Sequence, residues 1–315
     1  MSTRSKIVAL SVSASLAVGL ASSAADASPS QRAVVVHPGE SIQSAIDRAP
    51  AHGTVVVSAG TYAENLLVTK PVTVIGDDVT LVPPETPVPN ACLTSPEDRL
   101  PGFCILGDIT IPGPETTPPI INRYLEDVRI VGLRITGFPG SGVFGYATDH
   151  LVVTGTELDH NGKDGAISLA GHRTTYTGNR VHDNAVFGLT IEDAPEARAT
   201  ITFNQVTANN GVGILVRDSD QATVAANSLT ANCAGIFALS TYAPVTGATI
   251  VLNRVTANNR FCPANEDGYP AFPGIGIGLS GAPDAKVLGN VSTGHVPHDG
   301  TDLPSGDVVN LDQAS

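Results

Sequence analysis

Short runs of apolar residues recur along the second half of the chain, and each run begins with a glycine. Within a run, residues that suit a buried face alternate with their neighbours, which indicates a β-strand. Five such runs occupy residues 165–169, 188–192, 213–217, 235–239 and 276–280. Because every run is short, the pattern predicts many brief strands rather than a few long ones.

A six-residue phrase precedes these runs, with Asn in its first and last positions and an apolar residue in its third. Its copies begin at Asn179, Asn204, Asn227 and Asn253. The first Asn recurs at spacings of 25, 23 and 26 residues, and Thr156 with Asn161 forms one earlier, imperfect copy. A repeat of this length built from short strands is typical of a solenoid.

We interpret the repeat as one coil of three short strands and three turns. Leucine-rich repeats have a similar period, but they need Leu at most consensus positions, which this chain lacks. Asn suits the turns, since it tolerates a left-handed backbone and can hydrogen-bond its neighbours in the coils above and below. The predicted fold is therefore all-β, a right-handed parallel β-helix solenoid.

The N-terminal part predicts a short helix that caps the solenoid. Its apolar positions share one helical face, and they are Ile42, Ala45, Ile46 and Ala49. Ser41 can cap the start of this helix, and Gly53 is expected to end it. Further strands are predicted at 34–36, 55–57, 66–68, 72–75 and 79–81, with a last strand at 307–311.

Two stretches interrupt the repeat and are predicted to leave the coil stack, at about 83–122 and 259–274. The first is rich in Pro, and the second carries Phe261, Tyr269 and Phe272. We expect the second stretch either to roof a groove or to cover an apolar strand surface.

Residues 1–27 have the pattern of a signal peptide for export. A basic start with Arg4 and Lys6 is followed by an apolar segment at 7–20, which is too short to span a membrane. A small-residue cleavage signal then ends at Ala27. Residues 28–315 are expected to form one secreted β-helix domain.

Four cysteines in an exported protein indicate disulfides. Cys92 and Cys104 bracket a Pro-rich loop, whereas Cys233 and Cys262 follow the last Asn of neighbouring copies of the phrase. The predicted pairs are Cys92–Cys104 and Cys233–Cys262. No Cys-x-x-Cys or His/Cys spacing typical of a structural zinc site occurs in the sequence.

The chain is strongly acidic, with 17 basic and 30 acidic side chains. Such a surface argues against binding to nucleic acid or to an anionic membrane. It argues only weakly against an anionic polysaccharide, because a bound cation or a local basic patch can reverse the field. We expect a monomer that acts on a carbohydrate or a small-molecule substrate.

The Gly-led strands predict an apolar outer face. The residue after each leading Gly points inward and the next points outward, so two outward columns arise. The first column is Phe144, Ile167, Thr190, Leu215 and Phe237. The second column is Tyr146, Leu169, Glu192, Arg217 and Leu239. An apolar face of this kind is either covered by the two excursions or used as a ligand groove.

Glu192 and Arg217 are the first candidates for catalysis. They lie in adjacent coils, about 4.8 Å apart, and form either a structural ion pair or part of a site. Asp193 and Asp218 follow them, and with the nearby Asp220 they are candidate calcium ligands. Calcium would then neutralise a substrate carboxylate, while Arg217 would remove the adjacent proton.

A second group of candidates precedes the Gly-led strands of two neighbouring coils. Its members are His160, Lys163, Asp164, His182 and Asp183. An offset of 23 residues places Asp159 over His182 and His160 over Asp183. Such His/Asp pairs suit general acid–base chemistry near neutral pH, although exposed turn residues in weak ion pairs show the same pattern.

Residues 34–76, from Val-Val-Val-His-Pro-Gly-Glu-Ser to Thr-Val-Ile-Gly, resemble the opening of pectin-lyase-like β-helix proteins. The Asn phrases are similar to the repeats of that superfamily and of periplasmic NosD-like proteins. The resemblance implies the predicted fold and a substrate groove on the Gly-led sheet. It also implies secreted lyases, hydrolases or epimerases of polysaccharides, beside members without known catalysis.

No catalytic residue carries over from this resemblance. The Thr-Asp-His at 148–150 lacks the Trp that precedes the similar tripeptide of pectate lyases, and the chain contains no Trp. The Pro-His-Asp at 297–299 has Val296 where mannuronan epimerases have Asp. Site residues are therefore chosen on position and chemistry alone.

Three functions remain open from the sequence. The leading hypothesis is an enzyme that acts on an anionic, uronate-containing polysaccharide by β-elimination or epimerisation, with calcium as a candidate cofactor. The second is a tailoring cyclase or isomerase for a partly apolar small molecule, and the third is a non-catalytic binding or scaffold protein. The first two predict a cleft that holds Lys163, Asp164, Glu192 and Arg217 together.

Overall fold

A computed structural model of the chain describes residues 33–92, 100–110, 112, 119–264, 271, 274–297 and 303–313. The predicted signal peptide lies outside the described residues, as do Tyr269 and Phe272 of the second excursion. No helix in the described part of the chain is long and apolar enough to cross a membrane.

The regular elements are one short α-helix and many short strands, as the repeat pattern predicts. The first part of the chain contains β1 (Val34–Val36), α1 (Ile42–Arg48), β2 (Gly53–Val57), β3 (Gly60–Ala63), β4 (Leu66–Val68), β5 (Val72–Val82), β6 (Phe103–Leu106), β7 (Asp108–Thr110), β8 (Ile120–Arg123), β9 (Leu125–Glu126), β10 (Arg129–Thr136), β11 (Val143–Tyr146), β12 (Thr148–Asp149), β13 (Val152–Thr154) and β14 (Glu157–Asp159).

The second part is more regular. It contains β15 (Ala166–Leu169), β16 (Thr175–Thr177), β17 (Arg180–His182), β18 (Leu189–Glu192), β19 (Thr200–Thr202), β20 (Gln205–Thr207), β21 (Val212–Arg217), β22 (Thr223–Ala225), β23 (Ser228–Thr230), β24 (Ala234–Leu239), β25 (Thr249–Val251), β26 (Arg254–Thr256), β27 (Ile275–Ser280), β28 (Lys286–Leu288), β29 (Val291–Thr293), β30 (Gly306–Asn310) and a 3-10 helix at Leu311–Gln313.

Three strands per coil form two sheets that wind around one core. In a typical coil, β13 and β14 belong to a seventeen-stranded sheet and β15 belongs to a nine-stranded sheet. Neighbouring coils pair in parallel in both sheets. The nine-stranded sheet runs in the order β4-β6-β11-β15-β18-β21-β24-β27-β30 and contains the Gly-led runs. The predicted parallel β-helix is therefore confirmed.

The capping helix α1 is also confirmed, with one difference at its end. Ser41 is the N-cap, and its hydroxyl accepts a hydrogen bond from the backbone N–H of Ser44. The Glu64 carboxylate accepts hydrogen bonds from the N–H groups of Ile42 and Gln43, which places a negative charge at the helix start. The helix ends at Arg48, and Gly53 instead begins β2.

Two ladders of buried Asn side chains hold the coils in register. The Oδ1 of Asn209 accepts hydrogen bonds from the backbone N–H and the Nδ2 of Asn184, at 3.1 and 2.9 Å. The Nδ2 of Asn209 donates to the Oδ1 of Asn232 and to the Val181 carbonyl, at 2.9 and 3.4 Å. A ring nitrogen of His295 takes the next position after Asn258.

The left-handed turn residue is not the Asn itself. Among the described residues, positive φ angles occur at the position just before each ladder Asn, for example at Phe203 (φ 58°) and Ala208 (φ 56°). The prediction that Asn adopts this backbone is therefore wrong, whereas its predicted hydrogen bonds to the coils above and below are confirmed. Asn is selected for its amide, which satisfies a buried backbone group on each side.

Both predicted disulfides are present, and each one lies at an interruption of the repeat. Cys92 pairs with Cys104 of β6, and Cys233 pairs with Cys262. Strand β6 lies in the nine-stranded sheet between β4 and β11, so the chain returns to the stack within the first interrupted stretch. The two disulfides therefore fasten loops beside the nine-stranded sheet.

Candidate functional site

The outer face of the nine-stranded sheet has the register that the sequence predicts. Phe144 pairs with Ile167 and Leu215 with Phe237 in the first outward column, and Glu192 pairs with Arg217 in the second. Each column therefore places its side chains one coil apart on the same side of the sheet.

Loops cover the two ends of this face. At one end, Cys92, Cys104 and Leu106 form a cluster against which Phe144 and Tyr146 pack. At the other end, Leu215 and Phe237 are buried in a cluster with Phe187, Cys262 and Val309. Cys92 and Cys262, which belong to the two interrupted stretches, thus pack with side chains of this face.

A cleft of about 480 Å³ lies on this face. Lys163, Asp164, Glu192 and Arg217 line it together, as the two enzyme hypotheses predict. Its apolar walls include Leu106, Ile109, Phe144, Tyr146, Ile167, Leu169, Val186 and Phe187. This volume and this mixture of apolar walls with a few charges are typical of a small-ligand site.

Arg217 lies among three carboxylates at the ends of β18 and β21. Its Nη2 is 2.9 Å from Glu192 Oε2 and 3.9 Å from Asp193 Oδ1, and its Nε is 3.8 Å from Asp218 Oδ2. The side chains of Arg217 and Glu192 are 19% and 7% exposed. Three carboxylates thus surround the Arg217 guanidinium, and the role of base for this residue stays a prediction.

The three predicted calcium ligands serve other purposes here. Asp218 Oδ1 accepts hydrogen bonds from three backbone N–H groups in the next coil, those of Thr241, Tyr242 and Ala243. Asp220 Oδ1 accepts from the N–H and the hydroxyl of Thr246. Two of the three predicted calcium ligands thus hold turns of the next coil through one carboxylate oxygen each.

Asp193 is the third member of that set, and its Oδ1 lies 3.9 Å from Arg217 Nη2. Burial raises the pKa of its carboxyl group, the positive charge of Arg217 opposes this, and the charge of Asp218 adds to it. Asp193 and Asp218 of the predicted set therefore lie beside the Arg217 guanidinium.

Lys163 and Asp164 lie in the turn that leads into β15. Asp164 is buried, and its Oδ1 accepts a hydrogen bond of 3.0 Å from the backbone N–H of Phe187 in the next coil. This contact fixes the carboxylate against the cleft wall. Tyr146 lies on the same cleft, and burial, followed by the charge of Asp193, raises the pKa of its phenol.

His160, His182 and Asp183 lie outside the cleft, where His182 ends β17 and the other two follow β14 and β17. The predicted pairing of Asp159 with His182 is confirmed. His182 Nδ1 is 2.8 Å from Asp183 Oδ2, and its Nε2 is 3.0 Å from Glu157 Oε1. The structure therefore separates these three candidates from Lys163 and Asp164.

Asp159 is the best-held acidic group of this outer cluster, and the sequence did not select it as a site residue. Burial raises the pKa of its fully buried carboxyl group, but hydrogen bonds from Arg134, His160 and Thr136 outweigh burial and lower the pKa to about 2. The Arg134 contacts are bidentate, at 2.9 and 2.7 Å. Only the coil offset, which stacks β10 on β14, could have indicated them.

The comparisons with known proteins agree with the fold. A family model described as "Right handed beta helix region" matches residues 121–298. The DFA-IIIase from Arthrobacter chlorophenolicus has a similar structure, with 12% identity, a TM-score of 0.55 and coverage of 83% of this chain and 67% of that chain. At this identity the likeness concerns the fold alone.

Two further solved structures are similar at lower scores. The family 28 exopolygalacturonase of Yersinia enterocolitica gives 12% identity and a TM-score of 0.49, covering 82% of this chain and 67% of that chain. A periplasmic alginate epimerase gives 15% identity and a TM-score of 0.44, covering 83% and 69%. Among curated proteins no match to the chain was found.

Proposed function

This chain belongs to the right-handed β-helix family, and from its cleft we propose an exported enzyme that acts on a uronate-containing carbohydrate. The proposed reaction is removal of the C5 proton of the uronate, followed by β-elimination or by epimerisation. The fold by itself does not decide an activity, so the proposal rests on the site. Its two disulfides suit an oxidising compartment.

The main support for this proposal is that Lys163, Asp164, Glu192 and Arg217 line the same cleft. Proton removal next to a carboxylate needs a cation beside that carboxylate, a base, and an acid. The charged lining of the cleft supplies two cations and two anions. These groups are held on strand ends and short turns, which favours a preorganised site.

We assign the roles by the surroundings of each group. Arg217, whose guanidinium is always charged in proteins and is held by three carboxylates, faces the substrate carboxylate as a fixed cation. Lys163 is assigned as the base that takes the C5 proton. In elimination, the electron pair of the C5–H bond forms the C4–C5 double bond while the C4–O bond breaks. Tyr146, whose raised phenol pKa keeps it protonated, then gives its proton to the leaving oxygen.

Proton exchange tests the step that both reactions share. The full chain is incubated in D2O with pectate, alginate and glycosaminoglycan oligosaccharides, with and without calcium. Nuclear magnetic resonance then reports deuterium at C5, and absorbance reports unsaturated uronate. Deuterium incorporation or unsaturated product on one of these substrates supports the proposal, and neither on any of them refutes it.

Lys163→Ala is the variant for this assay, because Lys163 is only partly buried at the cleft. Lys286→Ala is its matched control, since Lys286 lies on an exposed position of β28 in the other sheet. We expect Lys163→Ala to lower exchange at least about 100-fold while Lys286→Ala keeps the wild-type rate. Equal exchange rates in both variants would show that Lys163 takes no part in the reaction.

The apolar walls favour a second candidate, a cyclase or isomerase for a partly apolar small molecule. Apolar and aromatic side chains outnumber the four charged ones in the cleft lining. Neutral p-nitrophenyl glycosides, which combine a sugar with an apolar ring, serve as binding probes in calorimetry. Tighter binding of these probes than of uronate oligosaccharides supports this candidate. Binding of uronates without exchange or product supports a non-catalytic carbohydrate-binding protein.

A further inference from the structure

We propose that Asp159, His160 and His182 bind one divalent cation of the zinc class, at a site outside the cleft. Each of these residues offers one ligand atom, and the three atoms all lie within 4.8 Å of one another. Among the described residues, these three form the group of His, Cys, Asp and Glu side chains whose ligand atoms lie close enough together to hold one metal ion.

Two coils build the site. Asp159 ends β14 and His182 ends β17, and the two residues are direct partners in the parallel sheet. His160 follows Asp159 with a left-handed backbone (φ 53°), and its Nδ1 lies 2.7 Å from Asp159 Oδ2. The two imidazole rings are 6.1 Å apart and nearly perpendicular. The strand register thus brings both rings to one carboxylate.

The exposure of the three side chains suits a metal site in which one ligand is buried and another is open to solvent. Asp159 is fully buried, the His182 side chain is 12% exposed and the His160 side chain is 61% exposed. A cation can therefore enter from the His160 side. The exposed ring has room to rotate by the small amount that zinc–nitrogen bonds of about 2.0–2.1 Å require.

The groups around the ligands can hold them in the binding form. Arg134 orients the Asp159 carboxylate through two hydrogen bonds, and the Oδ1 atom has one such donor at 2.9 Å, so it keeps a lone pair for a metal. Asp183 and Glu157 flank the two ring nitrogens of His182. When one nitrogen binds the cation, the carboxylate at the other nitrogen fixes the tautomer, as carboxylates commonly do for metal-bound His.

The donor set decides the kind of ion. Two imidazoles and one carboxylate suit zinc, whereas calcium prefers six to eight oxygen ligands. Three protein ligands also leave the fourth tetrahedral position open to water. No local Cys/His spacing reveals this site, because its ligands are brought together by stacking across 23 residues.

Isothermal titration calorimetry with zinc chloride tests the proposal on the full, untagged, metal-free chain near neutral pH. We expect one zinc ion per chain, no displacement by calcium, and at least about 10-fold weaker binding in His160→Ala and in His182→Ala. The matched control is His150→Ala, since His150 also contacts a carboxylate, Asp127 at 2.7 Å, away from the proposed ligands.

Three results would overturn the proposal: absence of zinc binding, equal weakening by the His150 control, or unchanged affinity in both ligand variants. Circular dichroism verifies that each variant is folded. Because His160 is exposed, its variant keeps the test decisive even where His182→Ala fails to fold. Cobalt substitution of the wild-type chain adds a second readout, since a tetrahedral nitrogen and oxygen site gives visible absorption bands that His160→Ala should abolish.

Discussion

Replacing Asn209 by Ala removes the most regular interaction of the molecule from the middle of the stack. Four side-chain hydrogen bonds are lost: two that Asn209 accepts from Asn184 and two that it donates, to Asn232 and to the Val181 carbonyl. The backbone N–H of Asn184 and the carbonyl of Val181 then stay buried without these partners.

The cost follows from these contacts. Each net hydrogen bond contributes about 1 kcal/mol, and each orphaned buried group adds about 1–3 kcal/mol. Because the ladder geometry relaxes in part, we expect Asn209→Ala to lower the free energy of unfolding by about 4–6 kcal/mol. Asn210→Ala is the adjacent control, since Asn210 is exposed in the same turn, and it should change stability by less than about 0.5 kcal/mol.

Urea unfolding followed by circular dichroism measures both variants. Solenoids can open coil by coil, so hydrogen exchange of the Asn184 amide supplies a local measure at the lost contact. A difference between the two variants below about 1 kcal/mol, with unchanged protection of the Asn184 amide, would show that the ladder does not hold the coils together.

Three further predictions concern charges and cross-links. Arg217→Ala should lower the free energy of unfolding in urea by about 3 kcal/mol or more, since the buried Glu192 carboxylate loses the guanidinium 2.9 Å away; Glu192→Gln in the same chain should restore part of the loss. The pKa of Asp159 is about 2 in the folded chain against its ordinary 3.8, so this group should add about 2 kcal/mol to the free energy of unfolding at neutral pH. This contribution should be lost as the pH falls from about 4 to about 2, and Asp159→Asn should make stability less dependent on pH in that range. Replacing Cys233 and Cys262 by Ser should lower the free energy of unfolding by about 3 kcal/mol. An unchanged midpoint of urea unfolding would contradict this prediction.

The periodic part of the molecule could be predicted from the sequence in detail. One repeated phrase gave the coil length, and the coil length gave the pairing of Glu192 with Arg217 and of Asp159 with His182. The disulfide between Cys233 and Cys262 follows from the same spacing. Every one of these contacts joins equivalent positions of neighbouring coils, so periodicity is sufficient to find them.

Two features near the cleft depend on segments without a repeat. Asp218 belongs to a turn whose partners are residues 241–243 of the next coil. Its carboxylate accepts their backbone N–H groups, which the repeated phrase alone does not indicate. The cleft wall contributed by Leu106 and Ile109 comes from the first interrupted stretch, which has no period from which a position could be inferred.

The Asn ladders also determine where this fold can accept extra residues. Asn253 and Asn290 are 37 residues apart, yet their hydrogen bonds measure 2.8 and 2.9 Å, against 2.9 Å for the Asn204 and Asn227 pair at 23 residues. Extra chain between coils therefore leaves the rise of the stack unaltered. Loops beside the cleft can be exchanged, lengthened or randomised as independent modules, so new specificities can be grafted onto an unchanged scaffold.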